Sequence, residues 1–142
     1  MKMGTIRKHI LSAGILSALM LLAIGSVDTD EDTKRIQGQA PDYRTTADAL
    51  FSEFKENEVA ADAKYKGKIV VVSGVIQDIG KDVMDQAYIV LGGGGFLDGV
   101  QCTFTESQNA SVGSLTKGES VSVKGEISGK MGNVLITKCS LQ

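Results

Sequence analysis

Residues 69–79 read IVVVSGVIQDI, and this stretch decides the fold. Its first four positions are all β-branched, which is typical of a strand that is covered on both faces. Gly74 follows as a candidate bulge or barrel corner, because a glycine inside a strand leaves no side chain to pack. The stretch therefore predicts a long strand from Lys68 to Ile79.

Four further strands are predicted after it, separated by glycine-containing turns and loops. In the third strand, Val100, Cys102 and Phe104 alternate with polar residues, so one side faces a core and the other faces water. Five strands, a long polar connection over 106–117 and glycines at the bends predict a closed barrel with the element order of an OB-fold, since closure removes exposed edges. The alternative is an open α+β sheet capped by helices. The four later strands are predicted over 84–91, 100–105, 118–127 and 133–141.

A helix pair is predicted before the barrel. Thr45 and Thr46 are good N-caps, and an apolar stripe at helical spacing follows them. Asn57-Glu58 indicates a break, after which a second short helix ends at Gly67. The chain is therefore predicted to be mainly β, with a five-stranded OB-fold barrel and its N-terminal helix or helix pair over 45–142. The expected inward residues are Ala47, Leu50, Phe51 and Phe54 in the first helix, and Val59, Ala60, Ala63 and Tyr65 in the second.

The first 25 residues have the pattern of an export leader. Basic residues precede an apolar run over 10–24, and Ala23-Ile24-Gly25 before Ser26 fits a small-x-small cleavage site. The alternative is an uncleaved membrane anchor through residues 10–27. Both predict an exported protein of the periplasm or cell envelope. No cysteine follows the apolar run, so the lipid-attachment motif of bacterial lipoproteins is absent. Residues 26–44 are polar, acidic at first and without apolar periodicity, which predicts a flexible linker.

The composition disfavours several classes of function. Three of the 15 basic residues and none of the 17 acidic ones lie in the leader, so the remainder is acidic and a poor match for polyphosphate. The single histidine is His9, inside the leader, which removes histidine-based catalysis and metal binding from the rest. The glycines at 92–95 fit no phosphate-binding register. We therefore expect no catalytic residue, no cofactor and no metal, and we predict that the protein is not an enzyme.

Several stretches together resemble the tRNA_anti-like proteins, a family of bacterial lipoproteins with an OB-fold. The resemblance covers about two-thirds of the chain and implies the fold, while its motifs, glycines at bends and alternating valines, imply no particular activity. The missing lipid-attachment cysteine departs from the family. The stretches that carry the resemblance are Asn57-Glu58, residues 65–76, residues 100–104, residues 118–125, and Val134, Cys139 and Leu141.

The resemblance also implies where a disulfide and a ligand would lie. It makes the strands of Cys102 and Cys139 neighbours, so an oxidising compartment would bridge them; the alternative is two buried thiols. OB-folds bind ligands on their second and third strands and in the flanking loops. The ligand-face candidates are then Lys81, Asp82, Tyr88, Gln101, Thr103 and Lys130.

These observations predict an exported, non-enzymatic OB-fold binding module of the bacterial cell envelope. Its partner would be a protein, a peptide or an envelope component. The alternative is single-stranded nucleic acid or an oligosaccharide on the same face. Residues 66–142 hold seven lysines, seven acidic residues and only three aromatic ones, which disfavours nucleic acid.

Overall fold

The computed structural model describes residues 29–93 and 97–142. The predicted leader, the membrane segment over 10–27 and part of the glycine loop lie outside these residues. Among the helices that are described, none is long and apolar enough to cross a membrane.

Helices come first along the chain and strands follow. Two short helical turns lie within the polar connection over 106–117. The elements are α1 (Asp30–Gln37), β1 (Tyr43–Thr46), α2 (Ala47–Glu56), α3 (Glu58–Tyr65), β2 (Ile69–Lys81), β3 (Ala87–Leu91), β4 (Val100–Phe104), a 3₁₀ turn (Glu106–Gln108), α4 (Asn109–Gly113), β5 (Ser120–Met131) and β6 (Asn133–Leu141).

Strands β2 to β6 form a closed barrel, which confirms the OB-fold prediction over the open sheet. The strand order is β2-β3-β4-β6-β5, and β5 returns to pair with β2. Only β4 and β6 run parallel within this ring; the other neighbours are antiparallel. Strand β1 adds to the outside of the ring, parallel to β2, with Tyr43 opposite Val70.

The core fills the barrel and continues under the helix pair. Val70, Val72 and Ile76 of β2 are buried in it, and the predicted α2 residues close over it. The inward face predicted for α3 is only partly right: Tyr65 is buried as expected, but Val59 is 82% exposed, Ala60 and Ala63 are exposed, and Ala61 is buried in their place. Asn57 ends α2 and caps α3, accepting a bond from the Ala60 amide at 3.0 Å, so the helical phase restarts there. The new phase stacks Tyr65 on Phe54, with ring centroids 6.0 Å apart.

The flexible linker predicted for 26–44 is corrected from Thr29 onward. The Thr29 hydroxyl accepts a bond from the Asp32 amide at 3.2 Å and caps α1. Ile36 is fully buried. The Lys124 ammonium on β5 donates to backbone carbonyls at the end of α1 and just after it, at Gln37 (3.0 Å) and at Gln39. One buried isoleucine and a distant lysine hold the segment, and neither produces a periodic pattern in the sequence.

The predicted strand over 84–91 begins only at Ala87. The Asp82 carboxylate accepts bonds from the amides of Met84 (2.9 Å) and Gln86 (3.0 Å), which closes a turn in place of a ladder. Asp85 has a left-handed backbone with φ 63°, a conformation that a regular strand excludes. The first barrel strand correspondingly extends to Lys81.

Candidate functional site

Cys102 and Cys139 form a disulfide inside the barrel. Their sulfurs are bonded, their Cα atoms lie 6.0 Å apart, and both residues are fully buried. The predicted bridge is therefore confirmed, and the described residues include no free thiol. These cysteines hold the barrel together and offer no nucleophile.

A bulge in β6 makes the bridge possible. The register pairs Cys102 with Ile136 and Phe104 with Cys139, so β6 carries one extra residue over this stretch. In a regular strand, Ile136 and Cys139 would face opposite sides because side chains alternate. Lys138 takes a left-handed backbone with φ 55° within the bulge, and both side chains then point into the core.

Three of the six predicted ligand residues share the outer face of β3 and β4, which we call the OB face. Tyr88 is paired directly with Thr103, and Gln101 lies two residues before Thr103 on the same side of β4. All three are partly exposed. The tyrosine ring lies across Gly80, where a Cβ would come within 2.6 Å of its hydroxyl oxygen. The glycine therefore leaves the space that this ring occupies.

Lys81 and Asp82 lie in the turn at one end of this face and already have partners. The Lys81 ammonium is 2.8 Å from an Asp85 carboxylate oxygen, and this hydrogen bond raises the pKa of the lysine above its ordinary value. Asp82 closes its own turn through two backbone amides. Both side chains are engaged in the local structure of the turn.

Lys130 lies apart from the OB face. It pairs with Val134, whose side chain is in the core, so both belong to the inner side of the β5–β6 hairpin. Its ammonium reaches Glu58 on α3 at 3.7 Å. The structure therefore separates this lysine from the other candidates, although its hairpin is one of the two loops that flank an OB ligand face.

The loops at both ends of the OB face expose apolar side chains. Val83 and Met84 are exposed in the turn between β2 and β3. Leu97 and Met131 are exposed at the other end, where a leucine methyl lies 2.9 Å from the Cβ position of Gly132. No periodic signal in the sequence indicates this pattern, because an isolated valine or methionine in a turn carries none.

Every lysine after residue 80 has a partner. Lys81, Lys117 and Lys138 lie within 4 Å of carboxylates, at 2.8, 3.0 and 3.6 Å, and Lys130 has Glu58 as described. Lys124 is buried and donates to backbone carbonyls. The barrel therefore presents balanced ion pairs in place of the cationic groove that tracks a nucleic-acid backbone.

A separate groove of about 1020 Å³ lies between the start of α2, the middle of β2 and the start of β5. Ser73 and Ser122, direct partners across β2 and β5, form its hydroxyl pair with their oxygens 2.7 Å apart. No sequence pattern indicated this groove, because its two strands pair across 49 residues of chain. The described residues contain no cluster of three or more histidine, cysteine or acidic side chains that would hold a metal ion.

Comparison with known proteins supports the fold. A family model described as tRNA_anti-like matches residues 1–140. A lipoprotein from Klebsiella pneumoniae, named as a proposed nucleic acid-binding protein, is 20% identical with a TM-score of 0.57, and the match covers 80% of this chain and 98% of that one. At this identity the likeness shows the fold alone. No curated protein matches this chain.

More distant matches include aminoacyl-tRNA synthetases. Asparaginyl-tRNA synthetase from Pyrococcus horikoshii is 17% identical over 55% of this chain and 20% of its own, with a TM-score of 0.43. An aspartyl-tRNA synthetase from Leishmania major is 13% identical over 72% of this chain and 21% of its own, with a TM-score of 0.48. This chain thus spans about a fifth of each synthetase.

Proposed function

The chain belongs to the tRNA_anti-like family, and from this premise we propose that it is an exported, non-enzymatic OB-fold module of the bacterial cell envelope that binds a protein partner. The observation that carries the proposal is the character of the OB face. Exposed apolar side chains flank it at both ends, and the lysines around it are already ion-paired. Interfaces between proteins favour methionine and tyrosine and disfavour lysine and the acidic residues.

Two features support export. A leader-like segment opens the sequence, and the disulfide is of a kind that persists in oxidising compartments. The relative from Klebsiella pneumoniae is described as a lipoprotein.

The inventory of reactive groups supports a non-enzymatic role. The single histidine is His9 in the predicted leader, and both cysteines are bridged. The carboxylates of the β2–β3 turn already have partners within the turn: Asp82 accepts bonds from two backbone amides, and Asp85 forms an ion pair with Lys81. A general acid or base needs a free proton-transfer atom within reach of a substrate, and these carboxylates are already engaged.

Site-specific photo-cross-linking in the producing cell tests this function. A photoreactive amino acid at Thr103 should give a defined cross-linked protein species, and the same group at Ala63, exposed on α3, should not. Replacing Met84 with Arg should abolish the species formed from Thr103, because a buried unpaired charge is costly at an interface. Equal cross-linking from both positions would refute the assignment of the OB face.

Single-stranded nucleic acid is the second candidate, favoured by the description of the Klebsiella relative. The charge balance of the barrel opposes it. At physiological salt, fluorescent dT15 and rU15 are therefore expected to bind this chain no better than they bind a control protein without affinity for nucleic acid. Submicromolar binding that is lost on replacing Tyr88 with Ala would establish the nucleic-acid function and displace the protein partner.

A further inference from the structure

The groove beside the hydroxyl pair of Ser73 and Ser122 lies on β2 and β5, away from the strands of the OB face. Its walls combine hydroxyl and amide groups with apolar ones. Gln77 and Gln142 contribute amides, Val75 is 40% exposed, and Val121 is partly buried. A volume of about 1020 Å³ is at the upper end of the range for small-ligand sites.

The charge of the lining restricts what it can bind. The described lining residues include no lysine or arginine and only one acidic side chain, that of Asp48. One oxygen of this carboxylate already accepts the Gly93 amide at 3.1 Å. An anionic ligand would find no cation here, which disfavours phosphates and nucleic acid. The same lining includes no aromatic ring on which a sugar could stack.

The strand register supplies a feature specific to peptides. Val75 and Ser120 are direct partners, and the Val75 carbonyl accepts the Gly92 amide at 3.0 Å, on the side away from β5. The pair is therefore a non-hydrogen-bonded one, and the backbone N–H and C=O of Ser120 point away from β2. On that side β6 pairs with β5 only up to Val123 and Leu141, with one further bond from the Gln142 amide to the Ser122 carbonyl at 3.0 Å. Among the described strands, none reaches Ser120 there.

We propose that this groove binds an uncharged peptide segment in extended form. The peptide lies along the start of β5 and exchanges main-chain hydrogen bonds with Ser120. Its side chains pack alternately on Val75 and Val121 and against the Ser73–Ser122 hydroxyl pair. This is the β-augmentation mode, in which main-chain bonds give affinity and alternate side chains give specificity. The proposal does not depend on the partner of the OB face.

Selection of peptides on the full chain tests the proposal. A phage library of random heptapeptides should yield uncharged sequences, and the corresponding synthetic peptides should bind in a calorimeter. Val75→Arg should weaken that binding at least tenfold by placing a charge on the groove wall. Ser120→Pro removes the backbone donor at the first position of β5, where a proline is tolerated, and should have a similar effect. Val59→Arg, on an exposed position of α3, should leave binding unchanged.

Two further measurements separate the outcomes. Thr103→Arg should leave peptide binding intact; its loss in that variant alone would place the peptide on the OB face and overturn the groove. Near-ultraviolet circular dichroism of Val75→Arg and Ser120→Pro should match the unaltered chain. A library that yields no sequence, yields charged sequences, or yields peptides that both groove variants still bind would refute the proposal. So would binding of chitotetraose that Val75→Arg abolishes.

Discussion

Reduction of the Cys102–Cys139 bridge should destabilise the barrel by several kcal/mol. The bridge joins residues 37 apart in sequence. The chain-entropy relation for a loop of that length gives about 3.8 kcal/mol at 25 °C, and native disulfides typically contribute about 2–4 kcal/mol. Both cysteines are fully buried, so two thiols left after reduction still fill the same space as small apolar groups. The difference between oxidised and reduced chains therefore measures the cross-link with little change in packing.

Urea unfolding of the oxidised and the reduced chain measures this difference directly. With a slope of about 1.5 kcal/mol/M for a chain of this size, a loss of about 3.8 kcal/mol should lower the midpoint by about 2.5 M on reduction. The reduction has to be carried out in urea and followed by refolding, because the buried sulfurs are out of reach of a reductant in the folded barrel. The double variant Cys102→Ala, Cys139→Ala should fall further, by the volume that it removes.

Equal midpoints for the oxidised and reduced chains would refute the reasoning. They would mean that the bridge adds nothing to the free energy of unfolding. A reduced chain whose intact mass equals that of the untreated chain, with no gain of two hydrogens, would show that the bridge does not form in the cell. The mass result would also remove the main structural support for export.

Three further predictions concern stability. Lys124→Met should lower the free energy of unfolding by about 1.5–3 kcal/mol, because it removes charged hydrogen bonds to the end of α1, and amide exchange measured by mass spectrometry should become faster there. The control Lys55→Met, on the exposed side of α2, should change neither quantity. Gly125→Ala should lower the urea midpoint strongly, because its Cβ would lie 2.6 Å from a core isoleucine methyl, while Gly113→Ala, with open space around it, should not. Hydrogen bonds from two hydroxyls hold the pKa of the Asp30 carboxyl below its ordinary 3.8. The stability that this carboxylate contributes is therefore present above about pH 4 and is lost as pH falls through the folded pKa. Asp30→Asn should flatten the dependence of the unfolding free energy on pH between pH 5 and 2.

The barrel was predictable because its signals are local. Each barrel strand carries its own alternation or β-branched run, and glycines mark the bends between strands. The α2 stripe of Leu50 and Phe54 likewise needs only the helical period. The sequence announced the break at Asn57 but not which face of α3 turns inward after it, and it hid the residue that β6 gains at Lys138. In a strand, a single inserted position reverses every inward assignment after it.

α1 and β1, which lie outside the barrel, were missed for another reason. In α1, Ile36 is the only large apolar side chain that is buried, and the helix is held by Lys124 from 87 residues away. β1 is four residues long and is stabilised by pairing with β2. Tertiary contacts form both elements, so their own composition still resembles a linker. The groove at Ser73 and Ser122 escaped prediction in the same way, since serines on strands are ordinary surface residues until the pairing brings them together.

The position of the disulfide also bears on binding. Cys102 lies on β4 between Gln101 and Thr103, two of the residues that form the OB face. The bridge ties this strand to β6, which is its parallel neighbour and carries the compensating bulge. A face fixed before its partner arrives loses less conformational entropy on binding, so a rigid β4 favours tighter association. Under the proposed function, an oxidising compartment would then complete the binding surface as well as stabilise the fold, because the same covalent bond serves both.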